Sequence, residues 1–141
     1  MNIGKFVLNV IVAFVAYGVL YGVVGPMIFA DGYAAIMSAA KPPEEVFMSE
    51  MAYHMVQTIV FVWLFNKAVG SGDLKAGAMF GLMIGLYLMA SDSIWFSTLK
   101  DYPSGGRMAL SILNLVNSAI VGALLAFMQG KGWGSAAEAS D

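Results

Sequence analysis

The sequence predicts an all-α integral membrane protein, a bundle of four crossing helices. Three observations lead there. The 141 residues are 60% hydrophobic and only 11% charged, whereas soluble domains are about half apolar and about a quarter charged. Four apolar stretches are each long enough to cross a bilayer, which takes roughly 20 residues. Polar joints rich in Gly and Pro separate them. So few charges cannot cover a water-facing surface, which argues against a soluble globular enzyme, and the abundance of apolar residues argues against disorder. A net charge of −2 leaves no basic face for nucleic acid. With no Cys, disulfides, thiolate metal sites and thiol nucleophiles are out.

The first span, Phe6–Ala30, is free of charge. Lys5 ahead of an apolar run resembles a signal peptide, but the run exceeds a usual signal core of about 7–15 residues, so a retained span is expected. Gly25-Pro26 near its outer end lacks one backbone donor and should kink or end the helix. Asp31–Ala40, short and Ala-rich, reads as a loop or interfacial helix. Lys41-Pro42-Pro43-Glu44-Glu45 reads as a helix start near Pro43: Pro suits a first turn, and acids suit the positive end of the helix dipole. The second span, Met51–Val69, carries one charge, Lys67, near its end where it can snorkel. Gly70-Ser71-Gly72-Asp73 is a tight turn. The third span, Ala76–Leu99, also carries one charge, Asp92. Lys100–Arg107 is a second polar turn, and Met108–Gly130 is an uncharged fourth span. Residues 131–141 read as a flexible tail. The apolar runs are continuous rather than alternating, which favours helices over a barrel.

Four crossings put both termini on one side with Lys5, Lys67, Lys75 and Lys131, against Lys41, Lys100 and Arg107 on the other. That balance places the termini inside, in a bacterial-type cytoplasmic membrane. Helices in lipid associate by close approach and hydrogen bonding, so small residues mark expected contacts. Gly18 and Gly22 form one ridge, Gly77, Gly81 and Gly85 a second, and Asn114, Ser118, Gly122 and Ala126 a third. Met51-Ala52 with Gln57 returns as Met108-Ala109 with Asn114. This is compatible with two repeated helical hairpins, and equally with a chance match in apolar sequence.

The intramembrane polar residues are the most informative feature. His54, Gln57 and Thr58 share one helix face. Asp92 lies in the third span, and Ser111, Asn114, Asn117 and Ser118 in the fourth. Gln57, Asp92 and Asn114 all fall seven or eight residues inside the flanking charges on one side, about 10–12 Å deep. One convergent network is expected, with His54 as the partner of Asp92. Two readings stay open. The network ties helices together, or it forms a ligand or ion site walled by Trp95, Phe96, Tyr53 and Phe61. Met48, Met51, His54 and Met55 could suit Cu(I), but Met packs cores more often than it binds metal. One His gives little support to haem, and the sequence identifies no cofactor. Catalytic motifs of the G-x-S-x-G, H-E-x-x-H, P-loop or dinucleotide type are missing.

Tyr17-Gly18-Val19-Leu20-Tyr21-Gly22, then Gly25-Pro26-Met27-Ile28-Phe29, the segment Asp31–Ala40 and the pair Asn114 and Asn117 form a recognisable layout. In it the chain resembles an uncharacterised bacterial family of small four-span membrane proteins. The resemblance covers most of Lys5–Gln129, implies an inner-membrane protein and supplies no activity.

The expected function is therefore non-catalytic: a homo-oligomer or a subunit of a larger membrane complex. A polar pocket in one leaflet half would take an apolar, lipid-like or quinone-like ligand. The alternative is a small proton-coupled transporter or channel that uses Asp92 and His54.

Overall fold

The computed structural model describes residues 1–98 and 103–136, apart from the side chains of 95 and 96. Among the described residues the chain is helical between short joints, with no strand. Helix α1 spans Ile3–Val19 and runs on as a π-helical segment, Leu20–Val24, and a single turn, α2, Gly25–Ile28. Helices α3 (Ala30–Ala39), α4 (Pro43–Ala68), α5 (Leu74–Ser97) and α6 (Ser104–Gly130) follow.

The local chemistry explains these boundaries. Asn2 caps α1 by accepting the Lys5 N–H at 3.1 Å. Pro43 opens α4, with Glu44 and Glu45 in its first turn, as the sequence predicts. The Asp73 carboxylate caps α5 by accepting the Lys75 and Ala76 N–H groups at 2.9 and 3.2 Å. Helix α6 ends in a Schellman motif. Trp133 N–H reaches Met128 O, Gly132 N–H reaches Gln129 O, and Gly132 takes a φ of +76° that a side chain would disfavour.

Among the described residues, three segments are long and apolar enough to cross a membrane: Ile3–Ile28, Leu74–Ile94 and Ser104–Gly130. Helix α4 has the length, 26 residues. His54, Gln57, Asn66 and Lys67 dilute its apolar character, so length and composition alone carry three of the four expected spans. The third span was expected to end at Leu99, and the polar turn to begin at Lys100. Residues 99–102 lie outside the described residues.

Helices α5 and α6 make the most intimate contact. A Cβ on Gly81 would strike the Ser118 carbonyl and the Ala119 backbone, one on Gly85 the Asn114 carbonyl, and one on Gly77 the Gly122 carbonyl. Gly122 meets Gly77 O in the same way. The Gly77–Gly81–Gly85 ridge is therefore a backbone-to-backbone contact. Gly18 and Gly22 are different: both are exposed, and among the described residues no atom lies within 4 Å of a Cβ built on either. Among the described residues, no helix of the chain packs on this ridge. Helix α1 turns Val10, Ala13 and Tyr17 inward, and Gly18 lies about 100° around the helix from Tyr17.

The core lies between α1, α4 and α6, around Val10, Ala13, Phe61, Val62, Phe65, Val121 and Leu125. Phe61 and Phe65 meet the Phe80 edge at 5.2 and 5.8 Å, which joins α4 to α5. Outward-facing Val7, Ile11, Val15, Met83 and Val116 are about half exposed, as a lipid-facing surface would be.

The two ends of the bundle are closed differently. At one end Asn2 N–H reaches Ser135 O, the Asn9 amide donates to Trp133 O at 3.0 Å, and the Asn66 amide donates to Ser135 Oγ at 2.6 Å. Residues 131–136 of the expected flexible tail are thus tied to α1 and α4, and 137–141 lie outside the described residues. At the other end α3 lies on α6, with Gly32 against Gly105 and Ala109 and Ile36 against Gly106.

Because overpacking usually costs about 1–3 kcal/mol and backbone cannot step aside, Gly81→Ala should lower stability by at least ~2 kcal/mol. Gly18→Ala, mid-helix with open space at its Cβ, should leave stability unchanged or raise it by up to ~1 kcal/mol. Thermal unfolding of the purified variants in one detergent checks the ranking.

Candidate functional site

Tyr17 and Tyr21 stand four residues apart on the inward face of α1 and its π-helical extension. Ser118 and Asn114 stand four residues apart on α6, in the opposite chain sense. Antiparallel packing therefore pairs them. Tyr17 Oη donates to Ser118 Oγ at 3.2 Å, and Tyr21 Oη donates to Asn114 Oδ1 at 2.5 Å. Asn114 Nδ2 in turn donates to Asp92 Oδ2 at 2.9 Å, bringing in α5. The two tyrosine rings stack at 6.1 Å, and Phe61 meets Tyr17 edge-on at 5.7 Å, so apolar rings wall the polar chain.

Helix α3 supplies the next link. Gly25 N–H bonds Leu20 O in the wider π register. In that register the donor for Tyr21 O would be residue 26, which is proline and has no N–H. Tyr33 Oη fills the gap, donating to Tyr21 O at 2.6 Å. Only glycine at position 25 admits it, because a Cβ there would lie 2.5 Å from Tyr33 Oη. The kink expected at Gly25-Pro26 is thus a π segment with a side-chain cap, and the chain turns at Phe29 (φ −119°, ψ 49°) into α3. Tyr21 binds α3 through its carbonyl and α6 through its hydroxyl.

The expected site residues divide as follows. Asp92, Asn114 and Ser118 belong to the network. Asn117 is 2% exposed, and its Nδ2 has no partner among the described residues. Ser111 is half-buried on the same helix. Thr58 is buried but bonds the carbonyl of His54 on its own helix at 2.8 Å. His54 and Gln57 are exposed, and among the described residues neither side chain joins the network. The expected His54–Asp92 pair is corrected. Helix α4 turns Met55, Thr58, Phe61, Val62 and Phe65 toward the core, which leaves His54 and Gln57 on its outward side. Tyr53, expected as a wall, is 70% exposed; Trp95 and Phe96 lie outside the described side chains.

Sequence reasoning missed Tyr21 and Tyr33 as members of the network. The signal was available: Tyr17 and Tyr21 repeat the four-residue spacing of Asn114 and Ser118. It also passed over Asn9 and Asn66, although a lone Asn in an apolar span flags an interhelical bond.

Chemically, the network holds a carboxylate inside the bundle with an amide donor, a bond stronger than one between neutral groups. Every link in Tyr21–Asn114–Asp92 runs through a side-chain amide, which offers fixed donors and acceptors but no titrating proton. The arrangement orients the carboxylate and ties α1, α5 and α6 together. Among the described residues, no group of three or more His, Cys, Asp or Glu could hold a metal ion.

No protein-family model, curated protein or solved structure matches the chain.

Tyr33→Phe leaves Tyr21 O without a donor and should cost about 1–3 kcal/mol. Burial also pushes the Tyr33 phenol above its ordinary value of 10.0. The folded state then keeps a proton that the unfolded state loses, so this contribution is intact below pH 10 and declines as pH rises beyond it. Unfolding measured between about pH 8 and 11 should show a shallower alkaline loss in Tyr33→Phe than in the wild type.

Proposed function

We propose that this chain is a four-crossing protein of a bacterial-type cytoplasmic membrane, with both termini cytoplasmic, that works through helix contacts rather than catalysis. It acts as a homo-oligomer or as a subunit of a larger membrane complex. One observation carries this reading: of the two glycine ridges, Gly77–Gly81–Gly85 is filled by α6, while Gly18–Gly22 faces outward with open space before it. A small-xxx-small face lets a second helix approach closely.

The fourth crossing has independent support. Helix α1 starts at the end where Asn2 meets Ser135, and α3 docks at the other end on the start of α6. Gly72, just before α5, lies against Gly130 at the first end. The chain must return between the two ends, and α4 makes that journey in 26 residues, about 39 Å of helix.

In this reading the Tyr21–Asn114–Asp92 chain shapes a polar lining for a lipid-like or quinone-like molecule and holds the helices that present the open ridge. A proton-coupled carrier would need titratable groups in exchange contact. Asp92 faces an amide and His54 stands apart, which favours the contact reading.

The combined substitution Gly18→Leu/Gly22→Leu should turn an oligomer into a monomer, by crosslinking in membranes and by mass in detergent, while leaving thermal stability near wild type. A wild type already monomeric in membranes, or an unchanged assembly in the variant, defeats the reading. Topology is tested separately, since the chain has no Cys. Lys41→Cys and Asp73→Cys should be labelled from opposite sides of the membrane, and labelling from one side would remove the α4 crossing.

A further inference from the structure

The three apolar spans share one mid-height. Tyr17 and Ser118, bonded at 3.2 Å, each lie within two residues of the middle of their span, Ile3–Ile28 and Ser104–Gly130. Gly81, three residues from the middle of Leu74–Ile94, packs on the Ser118 backbone. Phe61 meets Tyr17 edge-on at 5.7 Å, so α4 passes that same height at Phe61. Counted along α4, Gln57 lies about 6 Å from mid-height, His54 about 10 Å and Glu50 about 16 Å. The hydrocarbon half of a bilayer is about 15 Å thick. Gln57 and His54 therefore fall within it, and Glu50 falls at its edge.

Glu50, Tyr53, His54 and Gln57 stand at i, i+3, i+4 and i+7 and so share a helix face. All four are exposed, and the side chains of His54 and Gln57 bond none of the described residues. At that height the other helices turn apolar side chains outward: Val19 and Val23, Met83 and Leu86, Ile112 and Val116. Among the described residues, α4 alone presents an imidazole and a carboxamide there. Acyl chains offer no hydrogen-bond partner, so such a face requires a neighbour that does.

From the depth, the exposure and the pattern of donors and acceptors, we propose that this face of α4 is an interface between two parallel copies of the chain, related by a twofold axis along the membrane normal. Copies inserted the same way bring equal depths together, so each residue faces its own image and the neighbours one turn away. The Gln57 amide carries both donors and an acceptor and is complementary to its image, with which it exchanges a pair of N–H···O bonds. The His54 imidazole keeps an N–H in either protonation state, and Glu50 of the other copy, one turn toward the membrane edge, accepts it. Symmetry makes that bond twice. A different membrane protein would have to carry matching groups at both depths, whereas a second copy carries them by construction. The proposal rests on the α4 crossing and names the partner within the oligomer reading above, on a face separate from Gly18–Gly22.

The test uses the full chain, which has no Cys of its own, with one Cys placed on α4. Oxidation in membranes should link Tyr53→Cys to a second copy of itself, and should not link Ile59→Cys, which is exposed about half a turn around the helix. In detergent, Gln57→Leu should raise the dimer dissociation constant roughly tenfold, the worth of two interhelical hydrogen bonds, with helix content unchanged. Gln57→Asn keeps the amide and should associate more tightly than Gln57→Leu. Gly18→Leu/Gly22→Leu should leave the Tyr53→Cys link in place, so the α1 ridge and the α4 face fail separately. Loss of the link in that background assigns the contact to the ridge and overturns the proposal. So does an unlinked Tyr53→Cys, equal linking of Ile59→Cys, wild-type association of Gln57→Leu, or a Tyr53→Cys link to a different protein in place of a second copy.

Discussion

The approach of α5 to α6 governs most of the molecule. In hydrocarbon no hydrophobic force drives two apolar helices together, because lipid tails are as apolar as Leu. What remains is dispersion and hydrogen bonding, and both need the backbones close. Gly77, Gly81 and Gly85 remove the side chains that would hold α6 away, and Gly122 does the same from the other side. Gly85 lies against the carbonyl of Asn114, the residue that bridges α5 to α1. Adding a methyl group on that ridge would push Asn114 out of reach of Asp92 as well as weaken the helix pair. Packing and the polar network are therefore one device: the glycines set a distance, and the amide spans it.

A second constraint follows from Pro26. Without its N–H, a carbonyl in the preceding turn is left unmet inside an apolar span, where water cannot serve it. The chain answers with a wider helical register, Gly25, and the Tyr33 hydroxyl returning from α3. The result is a coupled joint. Tyr21 cannot shift toward or away from α6 without disturbing the cap on its own carbonyl, and α3 cannot leave α6 without uncovering that carbonyl. π segments inside α-helices recur at functional positions, and this one places its tyrosine one side chain away from the carboxylate.

Much of this was legible in the sequence, and the parts that were not share a cause. Helix positions, the Pro43 start of α4, the α5 glycine ridge and the Asp92–Asn114 proximity all follow from local composition and spacing. The convergence of His54 and Gln57 on Asp92 does not. Depth along a helix can be counted from sequence, but which way a helix faces depends on its neighbours. Helix α4 meets the bundle through Met55, Thr58, Phe61, Val62 and Phe65, and that choice of face turns His54 and Gln57 outward. Gly18–Gly22 has no partner helix among the described residues, for a related reason: a small-xxx-small motif states that a close contact is permitted, not that the chain itself supplies it. Tyr33 was out of reach because its role depends on a carbonyl orphaned twelve residues earlier.

The two ends of the bundle are held by different chemistry, and that bears on how the middle can behave. At the end where Asn2 meets Ser135, Asn2, Asn9 and Asn66 fasten α1 and α4 to the segment after α6 with side-chain and backbone hydrogen bonds. At the other end the clamp is steric and small, with Gly32 and Ile36 of α3 seated on Gly105, Gly106 and Ala109. Hydrogen bonds fix direction as well as distance, whereas a glycine seat fixes only distance. Any displacement of α1 relative to α6 is therefore resisted most where Asn2 meets Ser135 and least beyond Tyr21. The lever point is then the π segment, and the group that feels its movement first is Asn114. In a bundle built this way, a partner helix pressed onto Gly18–Gly22 would bear on the turn that carries Tyr21, so a contact on the outward side of α1 has a direct mechanical route to the half-buried Asp92 carboxylate.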